Sequence, residues 1–357
     1  MAHRKILIQI LLGTFLLSST LSAKNGHDGD EKEPFNPGTF ILNHIADTYD
    51  WHILTINGHH VSVPLPVILY SSQSGFHVFM SSKFHHGAHH HYGFFIAPEG
   101  HPQKGKILEE ATGERPALDL SITKTVFALL LSVVFLLWVF ISVAKTYVRR
   151  SDQAPKGLQS MLEPLILFVR DDVARPAIGP HYKRFMPYLL TIFFFILVNN
   201  FMGLIPFFPF GGNVTGNIAV TMVLAAITFV ITMCNTNRWY WLHIFNPPGV
   251  PIFLKFPIPL MPLIEFMDVF IKPFILMIRL FANIVAGHFV ALGFFSLIFL
   301  FAYLFGPAMG YGVSVVSILF TVFMTFLDML VGFIQAYVFT LLSAMYFGMA
   351  SPEHHHS

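Results

Sequence analysis

The chain has 357 residues, of which 54% are hydrophobic and only 11% are charged, and it contains 40 phenylalanines. A typical soluble domain carries about 25% charged residues, so this composition predicts an integral membrane protein. The formal net charge is only +2 and no long basic run stands outside the loops, so we expect no nucleic-acid partner. The single cysteine, Cys234, excludes a disulfide within the chain.

The first 23 residues have the pattern of a secretory signal peptide. A basic segment at residues 3–5 precedes an apolar run at residues 6–17, and small residues lead up to Ala23. The apolar run is too short to cross a bilayer core of about 30 Å. We therefore predict a signal peptide over residues 1–23, cleaved near Ala23, with an uncleaved membrane anchor as the alternative.

Residues 24–118 form a polar region that is rich in histidine. Alternating apolar and polar positions at residues 51–56 and 61–64, on either side of Asn57-Gly58, predict short strands or a small hairpin. Clustered imidazoles suit zinc, copper or nickel, but their spacing here matches no defined metal site. Histidine-rich runs are more often solvated loops, so we predict that this region holds no metal.

The first membrane span is predicted at residues 121–145. The basic residues Lys145 and Arg149 at its end place that end in the cytoplasm by the positive-inside rule, so the histidine-rich region lies in the periplasm. Residues 157–178 carry too many charges to cross a bilayer. They predict a helix that lies at the cytoplasmic interface.

Four further apolar segments complete the membrane part. Two of ordinary length lie at residues 185–208 and 214–234, and two very long ones lie at residues 258–305 and 313–349. A helix over most of the first long segment would be roughly 64 Å long, about twice the hydrocarbon thickness, so it must tilt steeply or bend. The expected fold class is an all-α integral membrane protein with about five membrane helices and an interfacial helix. The last two helices form a long, steeply tilted hairpin, and the N-terminal periplasmic extension contains short strands.

Both long segments carry polar side chains on one face when they are drawn as helices with about 100° per residue. The first stripe contains two acids, two bases and an amide, which are Glu265, Asp268, Lys272, Arg279 and Asn283. The second contains hydroxyls, an acid and an amide, which are Ser317, Thr321, Thr325, Asp328 and Gln335. The two stripes predict a water-lined path between the helices. As the alternative, the first charges are solvated at the cytoplasmic boundary, and the hydroxyls only bond to backbone carbonyls of their own helix.

Arg279 is the strongest functional signal in the chain. A permanent cation at the centre of a membrane helix costs roughly 2.5–3.5 kcal/mol, and the guanidinium group cannot lose its proton. Asp328 also lies far from either end of its predicted helix. Ions inside a membrane are functional by default, and the alternative is a purely structural salt bridge between Arg279 and Asp328.

Four segments of the sequence resemble subunit a of F-type ATP synthases. They are residues 279–288 (RLFANIVAGH), 335–339 (QAYVF), 346–350 (YFGMA) and 200–206 (NFMGLIP). The resemblance covers about residues 119–353. The arginine segment together with the downstream glutamine is its most specific part.

The resemblance implies a stator subunit beside a rotating ring of c subunits, with the peripheral stalk b subunits and the remaining synthase subunits as further partners in the lipid membrane. Protons would reach a carboxylate on each ring subunit through one half-channel and leave through another. Arg279 matches the arginine that the family requires between the half-channels. A fixed cation favours the ionised form of a passing carboxylate. Lysine would be a poor substitute because burial can neutralise it.

Further positions of the family carry over to this sequence. Asn283 and Gln335 match residues that line the polar path beside the arginine, and Glu265 matches a carboxylate on the channel-bearing helix. In the span at residues 185–208, Gly203 stands where some bacterial members have Asp. This departure puts a proton role at that position in doubt and leaves Asn200 as the polar residue of the motif.

His288 and Asp328 depart from the common bacterial pattern in an informative way. Many bacterial members have Glu at the first position and His at the second, whereas this chain has the exchange. The resemblance implies that a pair of a histidine and a carboxylate across two helices survives this exchange. The resemblance therefore implies that a proton relay in the periplasmic half-channel is retained.

The expected organisation is a signal peptide, the periplasmic region, a membrane proton-channel domain at residues 119–353 and a tail at residues 354–357. The protein is expected in the bacterial inner membrane with its C-terminus in the cytoplasm. It has no Walker-type phosphate loop, so we predict a non-catalytic subunit without a cofactor. Two alternatives stay open. A secondary transporter of ions, including metal ions, would use the histidines and intramembrane charges. A membrane anchor or assembly protein would leave Arg279 unexplained.

Overall fold

A computed structural model describes residues 37–38, 41–42, 46–56, 59–87, 89–98, 100–149, 154–205, 211–245 and 260–350. The predicted signal peptide, the Asn57-Gly58 turn and the tail at residues 354–357 lie outside these ranges. The chain divides into two compact units, one built mainly from Leu42–Phe127 and the other from the residues after it.

The first unit is made of short antiparallel strands. Strands β1 (Asp50–Ile56) and β2 (His59–Pro64) pair with each other, and Ile56 lies opposite His59. The two-residue separation of these partners is that of a tight hairpin. The prediction of short strands on either side of Asn57-Gly58 is therefore confirmed.

Two further small sheets complete this unit. Strands β3 (Pro66–Ser71) and β4 (Gly75–Met80) pair with each other. Strands β5 (Phe94–Ile96) and β6 (Ile107–Glu109) form a separate two-stranded sheet. Strand β7 (Leu118–Asp119) pairs with β3 on the side opposite β4. The inward side chains form one apolar core of large residues, which are Tyr49, Val67, Leu69, Phe84, Phe94 and Ile107. The alternating burial of β3, with Val67 and Leu69 fully buried, matches the two-residue period of a strand.

A partly buried hydrogen bond links this core to its last strand. The Tyr49 hydroxyl donates to Asp119 Oδ2 over 2.5 Å. Burial, together with this bond to a carboxylate, raises the pKa of Tyr49 above its ordinary value. The phenol therefore stays protonated and serves as a permanent donor to Asp119.

The second unit is helical. Its long apolar helices are α1 (Lys124–Arg149), α3 (Tyr182–Leu204), α6 (Leu260–Phe305) and α7 (Pro307–Ala350), with a shorter apolar helix α4 (Ile218–Cys234) and two polar or amphipathic ones, α2 (Leu158–Phe168) and α5 (Arg238–Phe245). Four helical stretches of the described chain are long and apolar enough to cross a membrane, and α4 is apolar but shorter. The predicted all-α membrane fold with about five membrane helices is confirmed.

The segment predicted as an interfacial helix is helical throughout. Helix α2 continues through a π-helical stretch at Val169–Ala174 and ends before Gly179, whose φ of 77° lies in the left-handed region. Glycine adopts this conformation without steric cost, so the chain can change direction there before α3 begins. Asp171 accepts charge-assisted bonds of 2.7 Å from both Arg170 and Arg175.

Helices α6 and α7 form an antiparallel hairpin with almost no loop. Gly306 has a φ of 90°, and α7 begins at the next residue, Pro307. The predicted start of this apolar segment, residue 313, is therefore wrong. Proline is favoured at the first position of a helix because its missing N–H would have no helical partner there, so the Gly-Pro pair turns the chain by itself. A Cβ at Gly310 would lie 2.6 Å from the Ala302 Cβ, which shows how closely the helices approach.

Helix α3 packs antiparallel to α7 over only part of the length of α7. The Phe185 and Phe347 rings stack at 4.8 Å near one end of the contact, and Asn200 reaches Gly332 near the other. At about 1.5 Å per residue, α6 has a length of about 69 Å, far more than a bilayer core. The steep tilt of the hairpin stays a prediction, and this excess length is the reason for it.

Gly348, near the end of α7, packs against the helical backbone just before Gly179. A Cβ at Gly348 would overlap the Ala177 carbonyl oxygen, which is backbone and cannot move aside cheaply. We expect Gly348→Ala to lower the amount of this protein assembled in the membrane severalfold, as measured by immunoblot of isolated membranes. Gly312→Ala in the same helix is the matched control, because nothing lies within 4 Å of its added Cβ. Equal levels of the two variants would contradict this packing.

Candidate functional site

Arg279 lies on an open lateral face of α6. Its side chain is exposed, as are those of Ala282, Asn283 and Ala286, one and two helical turns further along. Small residues beside an arginine leave room for another helix to approach the guanidinium group closely. The face formed by these four residues is called the arginine face below.

No acidic partner neutralises Arg279 within the described part of the chain. Asp328 lies opposite Gly287 on α6, roughly 12 Å along the helix from Arg279 at about 1.5 Å per residue. The Asp328 Oδ2 atom is buried and has no hydrogen-bond partner among the described residues. The structural Arg279–Asp328 salt bridge, the alternative raised above, is therefore not formed.

An amide pair connects the two long helices one turn beyond the arginine. Asn283 Nδ2 donates to Gln335 Oε1 over 2.9 Å. Gln335 is only 2% exposed, and its own Nε2 has no hydrogen-bond partner among the described groups. The structure thus brings Arg279, Asn283 and Gln335 together, and the pair places a buried amide donor immediately behind the arginine face.

Asp328 sits on a glycine of the neighbouring helix. A Cβ at Gly287 would lie 2.5 Å from Asp328 Oδ1, so only glycine leaves room for the carboxylate there. His288 is the next residue on α6, and its Nε2 lies 3.9 Å from the Cβ position of Gly203 on α3. Asp328 and His288 therefore lie at the same level of the hairpin, close to the Leu204 end of α3, and the pair of a histidine and an acid across two helices stays a prediction.

Asn200 connects three elements of the helical unit. Its Nδ2 donates to the Gly332 carbonyl oxygen over 2.9 Å, and its Oδ1 accepts from the Thr215 hydroxyl over 2.7 Å. The side chain is 3% exposed. Both ends of the amide are thus engaged in joining α3, α7 and the segment before α4, and its part in proton movement stays a prediction.

The charged residues at the start of α6 form a separate group. Lys272 Nζ lies 4.0 Å from Asp268 Oδ2, a spacing of one helical turn. Glu265 lies near α5, where burial and then the Glu265 carboxylate raise the pKa of Tyr240. The pair of Asp268 and Lys272 is typical of partly solvated charges, which agrees with the alternative interpretation of the first polar stripe.

The hydroxyl residues of the second stripe bond to backbone. Thr321 donates to the Ser317 carbonyl and Thr325 to the Thr321 carbonyl, both within α7. Ser317 instead donates across the hairpin to the Phe294 carbonyl over 2.7 Å. The interpretation of these two threonines as bonded within their own helix is confirmed, and Ser317 fixes the pairing of the helices.

Comparison with known proteins identifies the family. A sequence profile described as ATP synthase A chain matches residues 125–348. The chain belongs to this family. It is 42% identical over 244 residues to ATP synthase subunit a of Chloroherpeton thalassium, which covers 67% of this chain and 69% of that protein. It is 41% identical over 249 residues to ATP synthase subunit a 2 of Chlorobaculum tepidum, covering 67% and 65%. It is 40% identical over 247 residues to ATP synthase subunit a of Myxococcus xanthus, covering 67% and 76%.

The periplasmic region predicted from the sequence has its own match. Residues 40–125 match a domain family of unknown function, DUF8433. Together with the match to the ATP synthase A chain family, this accounts for most of the described chain. The boundary between the two matches falls at residue 125, at the start of α1, where the strand-rich unit gives way to the helical unit.

The histidines of the strand-rich unit form no metal centre among the side chains that the structure describes, where no three His, Cys, Asp or Glu residues converge. His90 Nδ1 lies 3.3 Å from Glu110 Oε1, and both side chains are more than half exposed. Solvated pairs of this kind contribute little to stability. They give no support to a metal cargo.

Gly287 and Thr215 belong to this family member's site but were not singled out in the sequence. A glycine inside a helix lowers helix stability by about 1 kcal/mol relative to alanine. Gly287 in the middle of α6 therefore indicated that another group packs closely against the helix there. Thr215 gave no such signal, because its partner Asn200 is identified only by the fold.

We expect Asn200→Ala to destabilise the helical unit by about 1–3 kcal/mol, since it leaves the buried Thr215 hydroxyl and the Gly332 carbonyl without their partner. Thermal unfolding of the purified protein measures the change. Thr215→Val is the matched control, because it removes only one of the two bonds and should cost less. If Asn200→Ala left stability unchanged but stopped proton transport, its amide would act in transport and this structural role would be contradicted.

Proposed function

We propose that this chain is the proton-translocating stator subunit of a rotary F-type ATP synthase. The observation that carries the proposal is the arginine face, a permanent cation exposed on the side of a membrane helix among small residues. Membership of the ATP synthase A chain family supports it. A ring of c subunits, each with a carboxylate in the membrane, is the partner whose chemistry fits this face.

The arginine acts on each ring carboxylate as it passes. A guanidinium group at close range favours the ionised carboxylate, so the carboxylate releases its proton on approach and takes up another after it has moved on. Arg279 cannot give up its own proton, and therefore it does not relay protons across the face. A fixed positive charge also repels protons that would otherwise leak directly between the two half-channels.

The polar groups on the two sides of Arg279 would supply the half-channels. Asp328 and His288 lie at the Leu204 end of α3, and Lys183 and Arg184 at its other end orient that other end to the cytoplasm. The carboxylate and the imidazole then serve the periplasmic half-channel as groups that can take up and release protons. Glu265 lies beyond Arg279, toward the start of α6, and it would serve the cytoplasmic half-channel.

Asn283 and Gln335 would separate the half-channels. Their hydrogen bond keeps α6 and α7 in register next to Arg279. Side-chain amides neither gain nor lose protons at physiological pH, so the pair can order water or contact the ring carboxylate without conducting protons itself. Nucleotide chemistry belongs to partner subunits, and in this proposal the strand-rich unit lies in the periplasm and the C-terminus in the cytoplasm.

Copurification tests the proposal directly. An affinity tag on this chain, with membranes dissolved in a mild detergent, should recover the c-ring and the peripheral-stalk b subunits in constant proportion. The same chain carrying Gly348→Ala is the control for loss of folding, since it should lose its partners together with its own abundance. Recovery of abundant, folded chain without the ring would contradict the stator and return the transporter and anchor to consideration.

A further inference from the structure

One face of the sheet β4-β3-β7 is apolar and uncovered. Its outward side chains are 42–63% exposed, and they are Tyr70, Phe76, Val78, Met80, Leu118 and Leu120. These six residues are called the apolar sheet face. Tyr70 lies opposite both Phe76 and Leu118, so the face is continuous across three strands.

Such a face is unusual for a sheet in water. An antiparallel sheet with one side on the core normally places polar residues at the alternate, outward positions. In β3 the inward residues Val67 and Leu69 are fully buried, and the outward residues Pro66, Ile68 and Tyr70 are also without charge. Contiguous apolar surfaces of this kind mark contacts with proteins or membranes.

Backbone hydrogen bonds hold the segment that leads from this sheet to α1 against the strand-rich unit. Leu120 N donates to the Ile68 carbonyl, Ile122 N to the Pro66 carbonyl and Lys124 N to the Thr48 carbonyl, each over 2.9 Å. Lys124 is the first residue of α1. These bonds anchor the first residue of α1 to the strand-rich unit.

The side chains at this junction are those of a membrane interface. Lys124 Nζ lies 5.9 Å from the centre of the Trp51 ring, and Thr125 N donates to Asp47 Oδ1 over 3.0 Å. Tryptophan and lysine at a helix end are typical of the lipid headgroup level. Met80 lies opposite Pro66, so strand spacings put this end of the apolar sheet face about 10–12 Å from the start of α1.

We propose that the apolar sheet face rests on lipid of the outer leaflet. Along the chain, Leu118 and Leu120 are followed by Val126, an exposed apolar residue in the first turn of α1 that would face lipid. The contact would be apolar rather than electrostatic, because acidic residues outnumber basic ones at residues 46–123. The choice of leaflet rests on the orientation proposed above, with the strand-rich unit in the periplasm, whereas the contact with lipid does not depend on the stator function.

The test places a fluorescent label on the face in the complete complex. The single native cysteine is first replaced by Cys234→Ser, and Phe76→Cys or Leu118→Cys then carries a label sensitive to the polarity of its surroundings. Gln103→Cys, on an exposed polar loop of the same unit, is the matched control. The labelled complexes are reconstituted into phosphatidylcholine vesicles with and without bromine atoms on the acyl chains.

Lipid contact predicts emission at shorter wavelength than the control at both labelled positions, with loss of intensity in brominated vesicles. The result should not change when anionic lipid or salt is added, because apolar contacts are not screened. Emission like that of Gln103→Cys would place the face in water and overturn the proposal. Emission at shorter wavelength without quenching would also overturn it, since a protein subunit or a second copy of this chain would then cover the face.

Discussion

Arg279→Ala is expected to abolish ATP-driven proton pumping in inverted membrane vesicles while the complex stays assembled. The arginine face is exposed, so removal of the guanidinium group leaves no buried partner behind and should not disturb the fold. The ring carboxylate would lose the cation that favours its ionised form, and it would pass the stator still protonated. Pumping is followed by quenching of a pH-sensitive dye and compared at matched amounts of complex.

Arg279→Lys separates charge from geometry. A lysine ammonium group can lose its proton in an apolar setting, whereas guanidinium cannot, so this variant should also fail to pump and should leak protons passively. Ala282→Ser, a small change on the same face, is the control for steric effects. Undiminished coupled pumping by Arg279→Ala would remove Arg279 from the mechanism.

Asp328→Asn is expected to reduce proton pumping by about 10²-fold, the lower end of what a positioned proton-transfer group contributes. The substitution keeps the shape of the side chain above Gly287 but replaces a carboxylate, which can exchange a proton, by an amide, which cannot. Arg279 is untouched, so the complex should remain tight to passive leakage. This combination distinguishes a blocked half-channel from a lost arginine.

Two further variants control the interpretation of Asp328. Thr325→Val removes a hydroxyl one turn away that bonds only to its own helix, and it should pump normally. Gly287→Ala should reduce pumping although Asp328 is retained, because its Cβ would occupy the place of the carboxylate. Normal pumping by Asp328→Asn would show that protons reach the ring without this group.

The helical architecture was predictable from hydropathy because long apolar segments have few alternatives in a membrane. The errors lie where one or two residues decide the geometry. Gly306 and Pro307 reverse the direction of the chain without a loop, whereas a loop over residues 306–312 was predicted. An apolar pattern continues across such a junction and does not mark it.

The site residues on one helix were predictable from their spacing, but their contacts were not. Helical periodicity placed Arg279 and Asn283 on one side of α6, yet it could not tell whether that side is buried or open. Asn200 was recognised by its motif, while its bonds to Thr215 and Gly332 depend on how three separate elements meet. Spacing along one helix likewise does not give the position of Asp328 on the other. The structure was needed to show that Arg279 has no acidic partner within the described chain.

The central claim is that the arginine face lies against the rotating ring, and cysteine crosslinking tests it most directly. In a chain that carries Cys234→Ser, Ala282→Cys is paired with a cysteine next to the carboxylate of the ring subunit and oxidised in native membranes. Val134→Cys, on the exposed side of α1, is the control. The account predicts a crosslink from Ala282→Cys that stops ATP-driven pumping and is reversed by reductant, and none from the control. Failure of Ala282→Cys to crosslink in the intact complex, with its thiol open to lipid-soluble reagents, would contradict the account.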